Sequence, residues 1–167
     1  MISYSLTHVP NRALLQDLTC DVTQDRTTTA WMLAHIAEVD ARKLYLPVAH
    51  ALMFSFCVHE FQMSEDMAYK RIRAGRAARK FPAIFPMVAD GRLHLTAVAM
   101  LASHLVQDNV EDLLAAAAGK SIARLKLVLA ERCPQPDVAT ILAPVAPVTR
   151  NRAPGRKASP RVHAGIH

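Results

Sequence analysis

The residues best placed to do chemistry in this chain are cations. Between Ser64 and Lys80 six Lys and Arg residues stand against two acidic ones, whereas residues 81–133 hold five of each sign. At 100° per residue along a helix, Tyr69, Arg73, Arg76 and Lys80 fall within about 60° of one another, with Lys70 further round, and Ala68, Ile72 and Gly75 take another side. Such a helix packs through one face and offers phosphate partners on the other. If this helix and the one before it act as a helix-turn-helix, Tyr69, Lys70 and Arg73 would lie near a major groove, with Arg76 and Lys80 on the backbone; otherwise the row is a solvated basic face, or attracts phosphates without reading sequence. Ile72 is expected inside and Arg76 outside, where its replacement should cost little stability. Gly75 lowers helix stability by roughly 1 kcal/mol relative to alanine, and a close helix crossing would compensate.

Other constellations dissolve on inspection. Gly119-Lys120-Ser121 would need a glycine where Leu114 stands, and a preceding strand, to be a phosphate loop; it reads instead as a helix stop followed by a helix cap. His59-Glu60 lacks the second histidine of a zinc-protease helix, because Met63 occupies that position. His163 and His167 are four apart but have no cysteine pair nearby, and His8, His35, His50, His94 and His104 are scattered singly. Cys20, Cys57 and Cys133 are odd in number and widely spaced, which suits a reducing compartment rather than a disulfide framework. No catalytic set, metal site or cofactor is implied.

The elements that carry these residues read as helices. Aromatic residues are only 5% of the chain while hydrophobic residues reach 51%, which favours Ala- and Leu-rich helices over a β-sandwich. Pro10 opens a short helix with Leu14, Leu15 and Leu18 on its apolar side. Asp25 or a following threonine caps a second, in which Trp31, Leu33, Ile36, Ala37, Val39 and Leu44 recur. Pro47 breaks the chain, and Leu52, Met53, Phe56, Cys57 and Phe61 form the apolar face of a third. Ser64 caps the basic fourth helix, with Glu65 and Asp66 in its first turn. Pro82 and Pro86 shape a short fifth, stopped by Gly91. Three more follow: 96–105, 110–118 and, capped by Ser121, a last one ending at Pro134 with Ile122, Leu125, Val128 and Leu129 inward. The expected class is all-α, a compact bundle of about eight short helices with a helix-turn-helix-like pair.

The composition changes after Pro134. Residues 134–167 carry five basic and one acidic residue and six prolines, so a helical domain over 1–135 is expected to precede a Pro-rich, basic, disordered tail over 136–167. Neither a signal peptide nor a membrane span is recognisable, which points to a soluble cytoplasmic protein.

The strings LAHIAEVDARKLYL (33–46), FSFCVHEFQMSEDMAYKRIRAGRAARKFPAIFPMVADGRLHLTAVAMLASHL (54–105) and LLAAAAGKSIARLKLVLAERCPQPDV (113–138) resemble the helical N-terminal region of bacterial HNH-endonuclease-type proteins. The resemblance spans about residues 30–140 and departs at Pro86. In that family the region precedes a ββα-metal nuclease module with a water-activating histidine and, often, CxxC pairs; the residues after Pro134 have no paired cysteines and no adjacent histidines. The resemblance therefore implies a stand-alone or truncated accessory domain, and nuclease activity does not transfer with it. The leading expectation is a non-catalytic DNA-binding or DNA-positioning domain using Tyr69, Lys70, Arg73, Arg76 and Lys80. The alternative is a protein-interaction or homo-oligomerisation module built on the apolar helices between 95 and 130. A third is a decayed product of a longer gene. If the apolar residues of 95–130 expose a broad stripe, association gains; if they close the core and leave the fourth helix open, nucleic acid gains.

Overall fold

The protein is described by a computed structural model over residues 4–132. Among the described residues there are seven α-helices and no strand: α1 (Asn11–Arg42), α2 (Met53–Glu60), α3 (Glu65–Lys80), α4 (Ile84–Ala89), α5 (Leu95–Leu101), α6 (Val110–Ala117) and α7 (Ile122–Arg132). The all-α class is as expected. The segment expected to be a disordered tail, together with Cys133, His163 and His167, lies outside the described residues. No described helix is long and apolar enough to cross a membrane.

The count falls from eight to seven because the first two expected helices are one. Neither proline nor glycine interrupts 11–42, and Asp25 and the threonines beside it do not cap. The hydroxyls of Thr19, Thr23 and Thr27 instead donate to the carbonyls of Leu15, Thr19 and Thr23 four residues back, at 2.8, 2.9 and 3.0 Å. This placement consumes no helix hydrogen bond. α1 ends where Lys43 adopts a left-handed conformation (φ 53°) and its N–H donates to the Asp40 carbonyl.

The later boundaries follow the sequence closely. The Ser64 hydroxyl accepts from the Met67 N–H at the start of α3. Pro86 is the third residue of α4, in the first turn, where a missing N–H leaves no hydrogen bond unmade. Gly91 and Gly119 follow α4 and α6 with φ of 81° and 68°, and the Ser121 hydroxyl accepts from the Arg124 N–H. α5 stops at Leu101, short of the expected Leu105. Beyond it the Asn109 side chain accepts from the Val106 N–H and donates to the His104 carbonyl, holding a turn.

α3 is the central helix, packing against α1, α2, α4 and α5. Ala68, Ile72, Ala74, Gly75, Ala77 and Ala78 are all buried. A Cβ on Gly75 would stand 3.1 Å from the Leu33 carbonyl oxygen of α1, so this glycine permits the close crossing its position suggested. The larger apolar cluster joins α1 and α3 to α4–α7 around Leu33, Ile84, Leu93, Val98, Leu101, Leu113 and Leu125. A smaller one gathers Ile36, Tyr45, Met53, Cys57, Ala68 and Ile72.

Several expected inward residues are outside. Leu14, Leu15, Leu18 and Trp31 of α1 are exposed, as are Leu44, Leu52 and Phe61. Leu44 falls past the helix end, and Leu52 and Phe61 flank α2 rather than belong to it.

Candidate binding groove

Tyr69, Arg73, Arg76 and Lys80 do share one strip of α3, but the strip does not project into solvent as a lone ridge. It forms one wall of a groove of about 620 Å³. The opposite wall comes from Tyr45 and from Leu52, Met53 and Phe54 at the start of α2. The end is closed by Ala102, Ser103 and Leu105 after α5, and Ile72, Ala77 and Phe81 lie between. The floor is apolar, because Tyr45, Met53, Ile72, Ala77, Phe81 and Leu105 are all buried, while Leu52, Phe54 and Tyr69 stand exposed at the mouth. The upstream half of the site comes from the irregular chain between α1 and α2. Helical spacing marked Leu52 and Met53 as an apolar face without placing them here, since turns rather than a helix bring Tyr45 and Leu52 round to α3.

The cations of the helix differ in how far they are already satisfied. Arg76 makes two hydrogen bonds to the Asp40 carboxylate of α1, Nε to Oδ2 at 2.6 Å and Nη2 to Oδ1 at 3.2 Å, and the Asp40 side chain is only 13% exposed. The carboxylate hydrogen bond holds the Arg76 guanidinium above its ordinary pKa, against an opposing effect of burial. Its replacement is therefore not neutral for stability, contrary to the expectation from helix faces: it would strand a mostly buried carboxylate. Lys70 pairs with Asp66 one turn back at 2.7 Å. Arg79 binds Glu38 of α1, which also takes Arg42. Hydrogen bonds from Arg42 and then Arg79 hold the Glu38 carboxyl below the usual range. Arg71 does not line the groove, and its Nε is buried with no hydrogen-bond partner among the described residues.

Arg73 and Lys80 remain, and neither meets a carboxylate among the described residues. The Arg73 guanidinium donates to the Tyr69 hydroxyl at 2.7 Å and lies 5.8 Å from that ring's centre, while Lys80 Nζ sits 5.1 Å from the centre of the Phe81 ring. Of the five residues expected to meet nucleic acid, two are thus unneutralised cations, two are cations tied to carboxylates, and Tyr69 braces Arg73. What this wall offers is a short row of positive charge beside an apolar floor.

The other constellations also take definite places. His50, which looked isolated, donates through Nε2 to Glu60 Oε1 at 3.0 Å and stacks on His59 at 6.1 Å between ring centres. Among the described residues no group of three His, Cys, Asp or Glu side chains is gathered to hold a metal ion. Cys57 is buried, and burial raises its thiol pKa; Cys20 is exposed, and both are free. The Gly119–Ser121 turn joins two helices. The apolar residues of 95–130 close the core: Ala97, Val98, Leu101, Leu113, Leu114, Leu125 and Leu129 are buried, and only Val106 and Leu127 are large and exposed. Among the described residues they form no broad exposed stripe.

Comparison of the chain with family models, with curated proteins and with solved structures finds no match.

Proposed function

We propose that this domain is a non-catalytic binding module whose working surface is the groove beside α3, and that its ligand is an acidic segment of a protein with apolar anchors. The observation that carries the reading is the pairing, in one concavity, of a buried apolar floor with two cations, Arg73 and Lys80, that meet no carboxylate among the described residues. An apolar floor gains from covering by apolar side chains, at roughly 25 cal/mol per Å², and the cations select a negative neighbour and speed its encounter.

Magnitudes weigh this against DNA held through the basic face. Non-specific DNA binding draws on many phosphate contacts, each contributing a salt-dependent increment, and affinity built on two is weak. α3 is also the central helix of the bundle, which suits it poorly to lie in a major groove. A second reading keeps nucleic acid as the ligand: Tyr69 with Arg73 and Lys80 offers one stacking face and two phosphate partners to a single strand. The resemblance of residues 30–140 to HNH-endonuclease-type proteins favours that reading.

The test uses the full chain and a labelled synthetic helical peptide with leucines at every fourth position and aspartates three residues after each, beside single-stranded and duplex oligonucleotides in the same buffer. The peptide should bind, and Leu52→Asp, at an exposed position of the mouth, should weaken it about tenfold, as expected for losing the burial of one leucine. Binding of the oligonucleotides but not the peptide, lost in Arg73→Ala/Lys80→Ala, would replace this reading with the second.

A further inference from the structure

The first part of α1 has the chemistry this groove would take. Residues 11–25 contain no buried side chain, and Leu15 and Leu18 are 66% and 59% exposed. Leu14, Leu18 and Val22 recur every fourth residue, with Leu15 beside them, and at 100° per residue these four lie within about 100° of one another. Leu33 and Ile36, buried further along α1, point in that same direction, so the apolar stripe covered at one end of the helix continues bare at the other. Asp17, Asp21 and Asp25 form a second row, each three residues after a member of the first, and none makes an ion pair among the described residues. An apolar row with an acidic row alongside is the complement of an apolar floor with a cationic wall.

We infer that the groove beside α3 receives the α1 arm, residues 11–25, of a second copy of this chain, with Leu14, Leu18 and Val22 on the floor and the Asp17–Asp21–Asp25 row toward Arg73 and Lys80. This rests on the reading of the groove as a site for acidic, apolar protein segments and names its occupant. The donor is another molecule because α1 is one helix: with no proline or glycine between Asn11 and Arg42, the arm cannot double back onto α3 of its own chain. Residues 134–167 carry the wrong charge for the wall, five basic against one acidic. Where the wall would repel them, it attracts the arm.

Sedimentation of the full chain over a range of concentrations should show reversible self-association. Leu15→Asp/Leu18→Asp in the arm and Arg73→Glu/Lys80→Glu in the groove, at three exposed positions and the half-buried Arg73, should each give monomers with unchanged helical circular dichroism. Mixing the two monomeric variants should restore a complex, because one supplies an intact groove and the other an intact arm. A synthetic peptide of residues 9–27 should bind the arm variant and not the groove variant. A wild-type chain that stays monomeric at about 100 μM, or mixed variants that fail to associate, would overturn the inference. In either case, continued binding of the designed Leu/Asp peptide to the groove would leave the functional reading standing, and loss of both would remove the two together.

Discussion

The two halves of α1 carry the same apolar periodicity and meet opposite fates. From Ala30 to Ala37 the stripe is buried, Leu33 completely, because α3 lays a row of small residues against it and Gly75 lets the backbones approach. From Leu14 to Val22 the stripe is bare. Periodicity in a sequence therefore states that a face needs a partner, without naming it. The partner in the first case is written elsewhere in the chain, as Ala68, Ala74, Gly75 and Ala78. In the second, no described residue of the same molecule covers it.

The comparison can be broken most forcefully from the covering side. Ile72→Asp places an unpaired charge among Ile36, Tyr45, Met53 and Cys57 and should unfold the domain or cost about 4 kcal/mol or more, read as loss of the cooperative thermal transition. Leu33→Ala should cost about 3–5 kcal/mol, while Leu15→Ala, on the same stripe, should stay within about 0.5 kcal/mol in denaturant titrations of dilute protein. Equal losses at the two leucines would show that the halves do not differ in packing.

Gly75→Val comes next. Its β-carbon meets the Leu33 carbonyl, a backbone atom that yields only if the helices part, and the expected cost is about 1–3 kcal/mol by urea titration. Arg76→Ala should follow at about 1 kcal/mol, discounted because the guanidinium is mostly exposed, and Asp40→Asn in the same background should recover part of it. The smallest effect is acid titration of Glu38. Its carboxyl is held below the ordinary value by Arg42 and Arg79, so its contribution is present above the ordinary carboxylate range and is lost as pH falls through the lowered folded value. Glu38→Gln should flatten stability against pH only in that acid window.

Much of this fold was legible in the chain. Ser64, Gly91, Gly119 and Ser121 announced helix ends by side-chain and backbone chemistry that acts within four residues, and those ends are where they were expected. The burial of Ala68, Ile72 and Gly75 followed from helical angle alone. Two things were not legible. Threonines at 27–29 read as a cap, yet threonine hydroxyls also bond backward within a helix, and only the continuity of α1 decides between the two. The candidate site was half visible: the row Tyr69, Arg73, Arg76 and Lys80 shows itself, but Asp40, 36 residues from Arg76, and the wall of Tyr45, Leu52 and Phe54 are brought there by turns whose geometry no local pattern encodes.

Amide hydrogen exchange of the full chain, with and without a saturating amount of the designed Leu/Asp peptide, tests most directly whether the groove is the working surface. Residues 45–54 and 102–105, which flank the strip of α3, should exchange more slowly when the peptide is bound, while α6 and the middle of α7 stay unchanged. Unchanged exchange at both flanking segments under saturation, or slowing confined to α6 and α7, would contradict it.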